Sequence, residues 1–232
     1  MKHLLRQAVC QAQLVTTTSQ PLAELVIHDY AAQAKVVSLP STVDLTTFRS
    51  GNKSNARERL GLLPNKLYIG TAGGLYKDKG VEIIYQAWEK LKHEMPNVHL
   101  VLAGPYQPDY PPPEEERVHY LGSLAHHEIS TLFQALDLGI ISILDTPFGR
   151  YCFPQKAYEM LACDLPVVVA NIGEMSYLFR DSPQVLFQTG NANDLASKIQ
   201  QQLQSPQQQS IAVEDWATII QRLEPMITSL KF

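Results

Sequence analysis

Between residues 67 and 203 the chain alternates short apolar, β-prone runs with segments of helical period, and this constrains the fold more than any other feature. Runs 67–71, 99–103, 118–121, 138–144, 166–170 and 185–187 read as strands, the last at an edge. Val81, Ile84, Trp88, Leu91 and Met95 recur at spacings of 3, 4, 3 and 4, one face of a helix over 81–95. Ile129, Leu132, Phe133 and Leu136 mark a second helix. A third is predicted over 153–163 with Pro154 near its first turn, and a fourth over 194–203 capped by Asn193. Strands separated by helices imply an α/β fold, a parallel sheet with helices on both faces. Outside this core, 14–18, a short helix and 36–39 lead into Pro40-Ser41-Thr42-Val43-Asp44, and 50–55 reads as a polar connection. Residues 106–116 read as a surface loop. Seven glutamines in 200–209 suggest a solvated linker before a final helix carrying Trp216, Ile219, Ile220, Leu223 and Ile227.

The 232 residues suffice for a well-buried core, and 45% hydrophobic with 18% charged residues is globular composition. A net charge of −4 argues against a general nucleic-acid binder. Cys10, Cys152 and Cys163 form neither a zinc pattern nor a disulfide framework, which predicts a reducing, cytoplasmic setting. No apolar run approaches the ~18 residues of a membrane span, so at most peripheral membrane contact is expected.

Two segments are able to carry chemistry. Gly73-Gly74-Leu75-Tyr76-Lys77-Asp78-Lys79-Gly80 follows a strand and opens a helix. Glycine admits a ligand close to the backbone, and a helix N-terminus with a lysine attracts anions. It reads either as a phosphate site or as an ordinary strand-to-helix turn. The second segment, 148–159, lies at the C-terminal edge of the sheet, where open α/β folds bind ligands. Lys156 sits in the first helical turn, where its charge opposes the helix dipole, and a bound anion would account for it. Alternatively Lys156 and Glu159 form a plain i,i+3 ion pair. His93, His99, His126 and His127 lack metal-ligand spacing and read as surface or structural histidines. The chain has neither a G-x-S-x-G elbow nor an Asp-x-Asp metal–diphosphate motif.

In order and spacing, these segments resemble the C-terminal half of the family-four (group 1) glycosyltransferases, which have the two-Rossmann GT-B fold. Leu14-Val15-Thr16-Thr17-Thr18-Ser19 is similar to the last strand of that family's N-terminal domain. Leu39-Pro40-Ser41-Thr42-Val43-Asp44 resembles its I-P-N-G-V-D hinge, and Gly73-Gly74-Leu75…Lys79-Gly80 its G-R-L…K-G. The strand sequences 98–104 and 118–122 resemble N-V-x-L-x-L-x-G and V-x-F-x-G. Residues 159–168 resemble E-A-M-A-C-G-x-P-V-V, and Phe153-Pro154-Gln155-Lys156…Glu159 the F-x-x-K-x-x-E version found in part of the family.

The resemblance implies three parts. Residues 1–45 would be the remnant of an N-terminal acceptor domain and hinge, 46–205 a Rossmann-like nucleotide-sugar-binding domain, and 206–232 a C-terminal helix. It implies a nucleotide-diphosphate sugar as donor substrate, no separate cofactor, no metal, and retaining transfer to an acceptor hydroxyl. The implied binding residues are Gly73, Gly74, Lys79, Tyr151, Cys152, Phe153, Lys156 and Glu159. Lys79 and Lys156 would stabilise the diphosphate, amides near Cys152 and Phe153 would donate to it, and Glu159 would accept from ribose hydroxyls. Gly74 stands at the family's arginine and Tyr151 at its first glutamate, departures that fit a non-catalytic binding or partner module instead. Full members carry ~170–200 further N-terminal residues that supply the acceptor site. The chain alone is therefore expected not to transfer, and to pair with a separate acceptor-domain chain or with itself.

Overall fold

The computed structural model describes residues 2–30, 34–207, 209 and 211–230. It opens with helix α1 (Lys2–Gln11), strand β1 (Leu14–Thr17), helix α2 (Gln20–Tyr30) and strand β2 (Lys35–Ser38). β1 and β2 pair in parallel from Leu14↔Lys35 to Thr17↔Ser38, a small sheet of its own. The larger unit runs α3 (Lys53–Arg59), β3 (Leu67–Ala72), α4 (Val81–Glu94), β4 (Val98–Ala103), β5 (Val118–Tyr120) and α5 (His126–Ala135). It continues through β6 (Leu138–Ile141), α6 (Pro147–Tyr151), α7 (Gln155–Ala162), β7 (Val167–Ala170), α8 (Gly173–Leu178), β8 (Leu186–Phe187) and α9 (Ala192–Gln204). α10 (Trp216–Thr228) follows.

The six strands are parallel, in the order β5-β4-β3-β6-β7-β8. All residues of β4, β6 and β7 are buried, because helices cover both faces. Alternate residues still part between two cores. Leu100 and Leu102 pack with Trp88, Leu91 and Ile199, whereas Val101 and Ala103 pack with Phe48, Phe133 and Tyr68. This is the expected α/β sheet. β3 lies at its centre: the chain leaves it towards β4 on one side and returns to β6 on the other. Loops leaving adjacent strands in opposite directions open a crevice at their C-terminal ends.

Four expectations are corrected. The strand expected over 138–144 ends at Ile141, and the chain turns at Thr146 into α6. Thr146 Oγ1 caps this helix by accepting from Gly149 N at 3.1 Å, with Pro147 in its first turn. Five residues are too few for a hydrophobic period. Part of the connection expected over 50–55 is helical, because Arg57 anchors α3 instead of an apolar stripe. Its guanidinium donates to the carbonyls of Ala135 and Pro64 and pairs with Asp137 at 2.6 Å. The cap of α9 is Asn191, which accepts from the amides of Asn193 and Asp194, so Asn193 itself lies inside the helix. The glutamine-rich segment is not a solvated linker: α9 runs to Gln204, and Gln202 and Gln209 are buried. Gln209 Oε1 accepts from Val167 N at 3.2 Å, so the segment packs against β7; Gln208 lies outside the described residues. In the last helix Ile219 is buried, while Trp216, Ile220 and Ile227 are exposed.

Candidate functional site

A cavity of about 220 Å³ occupies the crevice between the ends of β3 and β6. Gly73, Gly74, Asp78 and Lys79 reach it from the β3 side. Ile141, Ser142 and Ile143 reach it from β6, and Phe148, Cys152, Phe153, Pro154 and Lys156 close it. Six residues expected from sequence (Gly73, Gly74, Lys79, Cys152, Phe153 and Lys156) are therefore brought together across 84 positions of chain. Their walls are local consequences of sequence. Gly73 adopts φ +111°, open to glycine and strained for other residues, which turns the chain sharply off β3. Gly80, at φ +74°, then starts α4.

The two lysines are differently held. Lys79 Nζ lies 3.8 Å from the centroid of the Phe148 ring, a cation–π contact. Lys156 has neither a hydrogen bond nor an ion pair at Nζ among the described residues. The i,i+3 pair with Glu159 is not formed. Burial pushes the Lys156 ammonium down to about 8, with Glu159 opposing and Lys79 adding to the shift. Burial likewise raises the Glu159 carboxyl, against His126 and Lys156, and raises the Cys152 thiol, against Lys79. Lys79 and Lys156 face one cavity that Asp78 also lines, and neither lysine is ion-paired among the described residues, which leaves a site suited to an anion.

Pro154 occupies the N-cap of α7, so the first helical amides are Gln155 and Lys156. Among the described residues, the N–H groups of Phe153, Gln155 and Lys156 have no partner. They are available to an anion at the positive end of the helix. The Cys152 amide is not, because it donates to Phe148 O at 2.8 Å and closes α6. That corrects the expectation for Cys152, which lines the cavity without offering its amide. Tyr151 and Glu159 do not line the cavity. The Tyr151 carbonyl accepts from Ser19 Oγ at 2.7 Å, facing the small sheet. Glu159 lies one turn further along α7, half-buried, without a hydrogen bond or ion pair of its own among the described residues. Sequence reasoning gave Phe148, Asp78 and Ser142 no role of their own, although the first two lie inside the candidate segments. The signal for Phe148 was its place beside Gly149 at the start of the second segment. Among the described residues, no group of three His, Cys, Asp or Glu side chains stands ready for a metal ion, and no helix is long and apolar enough to cross a membrane.

Residues 66–205 match the model of the family described as glycosyl transferases, group 1. The chain belongs to this family. Its curated relatives include the D-inositol 3-phosphate glycosyltransferase of Mycobacterium marinum, 29% identical over 76% of this chain and 39% of that protein. The enzyme of the same name from Stackebrandtia nassauensis is 27% identical over 80% and 44%. The chain thus spans about two-fifths of the length of these relatives. Among solved structures, Anabaena HepE in complex with UDP and glucose superposes with a TM-score of 0.79 at 23% identity, covering 99% of this chain and 66% of HepE. Sucrose-phosphate synthase of Thermosynechococcus elongatus gives 0.77 at 20% identity, over 97% and 60%. The Rossmann-like fold of this group 1 glycosyltransferase chain is that of GT-B proteins.

Proposed function

We propose that this chain is the donor half of a retaining glycosyltransferase and binds the diphosphate of a nucleotide-sugar in the β3–β6 crevice. The observation that carries the reading is the pair Lys79 and Lys156 on one cavity, with the Lys156 ammonium unpaired beside three free amides. At about 220 Å³ the cavity is below the ~300–1,000 Å³ of whole-ligand pockets and suits the diphosphate portion alone. HepE, solved with UDP and glucose, and the D-inositol 3-phosphate glycosyltransferases supply the analogy.

On this reading Lys79 leaves the Phe148 ring to meet the diphosphate, and Lys156 meets it from the other wall. The reacting bond joins the anomeric carbon to the diphosphate oxygen. When it breaks, the electron pair stays on that oxygen, and the lysines and amides stabilise the charge that develops. No metal is required for this step. Glu159, a half-buried carboxylate without a donor of its own among the described residues, accepts from the ribose hydroxyls. Residues 1–45 form the trailing part of an acceptor-binding domain, and the protein works in the cytoplasm. The exposed apolar residues Leu4 and Leu5 of α1, and Ile220 and Ile227 of α10, support association with an acceptor-binding chain or a second copy.

One observation favours a non-catalytic donor-binding module instead. Where the family carries an arginine this chain has Gly74, and the Tyr76 ring fills the space, one ring atom lying 2.6 Å from where a Cβ would stand. Calorimetry with a panel of nucleoside diphosphates tests the shared part of both readings. Binding at about 10 μM to 1 mM is expected, and Lys79→Ala should weaken it by about 1.5–3 kcal/mol. Unchanged affinity in Lys79→Ala removes that residue from the site. Glu159→Gln should weaken nucleotide more than inorganic pyrophosphate. Release of free sugar to water, which needs no acceptor-binding domain, separates enzyme from binding module.

A further inference from the structure

Ser19 lies in the turn between β1 and α2, and its hydroxyl donates to the carbonyl of Tyr151, 132 residues away, at 2.7 Å. Ser19 is fully buried, and its side chain is oriented from both sides. Its Oγ also accepts from Leu22 N at 3.3 Å, and its carbonyl accepts from Thr17 Oγ1 at 3.0 Å. Tyr151 is the last residue of α6, a helix of five residues too short to hold itself. Its C-terminal carbonyls have no helical partner, and Ser19 satisfies one of them.

A second contact fixes the same corner. Gln20 N donates to Glu174 Oε2 at 2.7 Å, tying the start of α2 to α8. α8 begins at Gly173, at φ +52°, where a Cβ would stand 2.7 Å from the carbonyl oxygens of Gly149 and Arg150. α6 is therefore wedged between the β1–α2 corner and the start of α8. The three residues after Tyr151 are Cys152, Phe153 and Pro154, all in the cavity wall. Phe148, which carries the Lys79 contact, is on α6 itself.

We propose that Ser19 is a positioning residue for the anion cavity: through the Tyr151 carbonyl it sets the place of α6 and of the wall that follows it. Ser19 does not touch the ligand. The proposal rests on the diphosphate reading for its affinity arm only, and a second arm stands without it. Cys152 sits in the wall one residue beyond Tyr151, between the exposed Cys10 and the buried Cys163 in accessibility. Its alkylation by iodoacetamide, followed at that position by peptide mass spectrometry, reports on the wall directly.

The test compares wild type, Ser19→Ala and Ser19→Thr in the full 232-residue chain, well below their melting temperatures. Ser19→Ala should raise the Cys152 alkylation rate about five-fold or more and leave Cys10 unchanged. It should weaken inorganic pyrophosphate and UDP alike, about five-fold, and Ser19→Thr, which keeps the hydroxyl, should restore part of both. A merely structural serine would lower the melting temperature and leave the affinity and the Cys152 rate of the folded protein alone; that result overturns the proposal. If Ser19→Ala does not fold, Ser19→Cys keeps the volume with a weaker donor, and wild-type values for both readouts in that variant equally overturn it. If wild type binds neither ligand, the diphosphate reading fails while the alkylation arm still decides the role of Ser19.

Discussion

A side chain on Gly73 would stand 3.4 Å from the ammonium nitrogen of Lys156. The turn that ends β3 and the first turn of α7 thus face each other across the crevice, and a methyl at Gly73 would be in ordinary van der Waals contact with the lysine. The cost of Gly73→Ala is a non-glycine residue at φ +111°, and the added methyl enters the cavity wall beside Nζ. Such backbone strain costs about 1–3 kcal/mol. Chemical denaturation should show a loss of that size, with diphosphate affinity at least ten-fold weaker. Gly61→Ala is the control: it also has positive φ, at +67°, but nothing lies within 4 Å of its Cβ position. It should cost stability and leave affinity unchanged.

Lys156 opposes stability and favours binding. Folding lowers its pKa from 10.5 to about 8. Below about pH 8 both states hold the proton, and the folded state bears the whole cost of burying it. Between about 8 and 10.5 the unfolded chain binds more protons, so this residue makes stability rise with pH. Lys156→Met should raise the melting temperature at pH 7, by about 2–4 °C per kcal/mol relieved, and nearly abolish diphosphate binding. Wild-type affinity should decline from pH 7 to pH 9 as the ammonium is lost, and a pH-independent affinity would remove Lys156 from the binding charge.

How far the sequence discloses this molecule follows from what each residue reports. The strands at β3, β4, β6 and β7 were readable because burial on both faces leaves mainly apolar residues there, Thr71 and His99 being the polar exceptions. The site was readable where glycine and lysine stand at strand and helix ends, as at Gly73, Lys79 and Lys156. Three things were not. α3 is held by one buried arginine, and an arginine carries no period. α6 is held by Thr146 and Pro147, a cap signature without a stripe. The engagement of the Cys152 amide by Phe148, and of the Tyr151 carbonyl by Ser19, depends on how α6 sits, and no spacing along the chain encodes that.

The cap of α9 can be checked by a pair of variants. Asn191 Oδ1 accepts from the amides of Asn193 and Asp194, each at 3.1 Å. Asn191→Ala should cost about 1 kcal/mol. Asn193→Ala, inside the helix and making no cap, should cost close to nothing or gain slightly through helix propensity. Equal losses in urea melts would contradict the assignment.

At the opposite end of the sheet from β8, His99 on β4 and His119 on β5 form a stacked pair, with Nδ1 of the first 2.9 Å from Nε2 of the second. One ring must accept while the other donates, so this contact needs at least one neutral imidazole. Burial lowers the pKa of both; His119, Lys66 and Arg117 lower His99 further, and Glu116 opposes. The sign of the pH effect follows. Above about pH 6.5 both folded and unfolded histidines are neutral and the contribution is complete. As pH falls below that value the unfolded chain takes up protons that the folded pair refuses, and stability drops. The folded protein should therefore lose stability as pH falls below about 6.5 by chemical denaturation, with amide exchange rising first in β5, the edge strand. His119→Phe keeps a ring against Tyr68, 5.8 Å from the present imidazole centroid, and removes the charge conflict. It should flatten the acid limb of the stability curve, and an unchanged slope in that variant would place the acid sensitivity elsewhere.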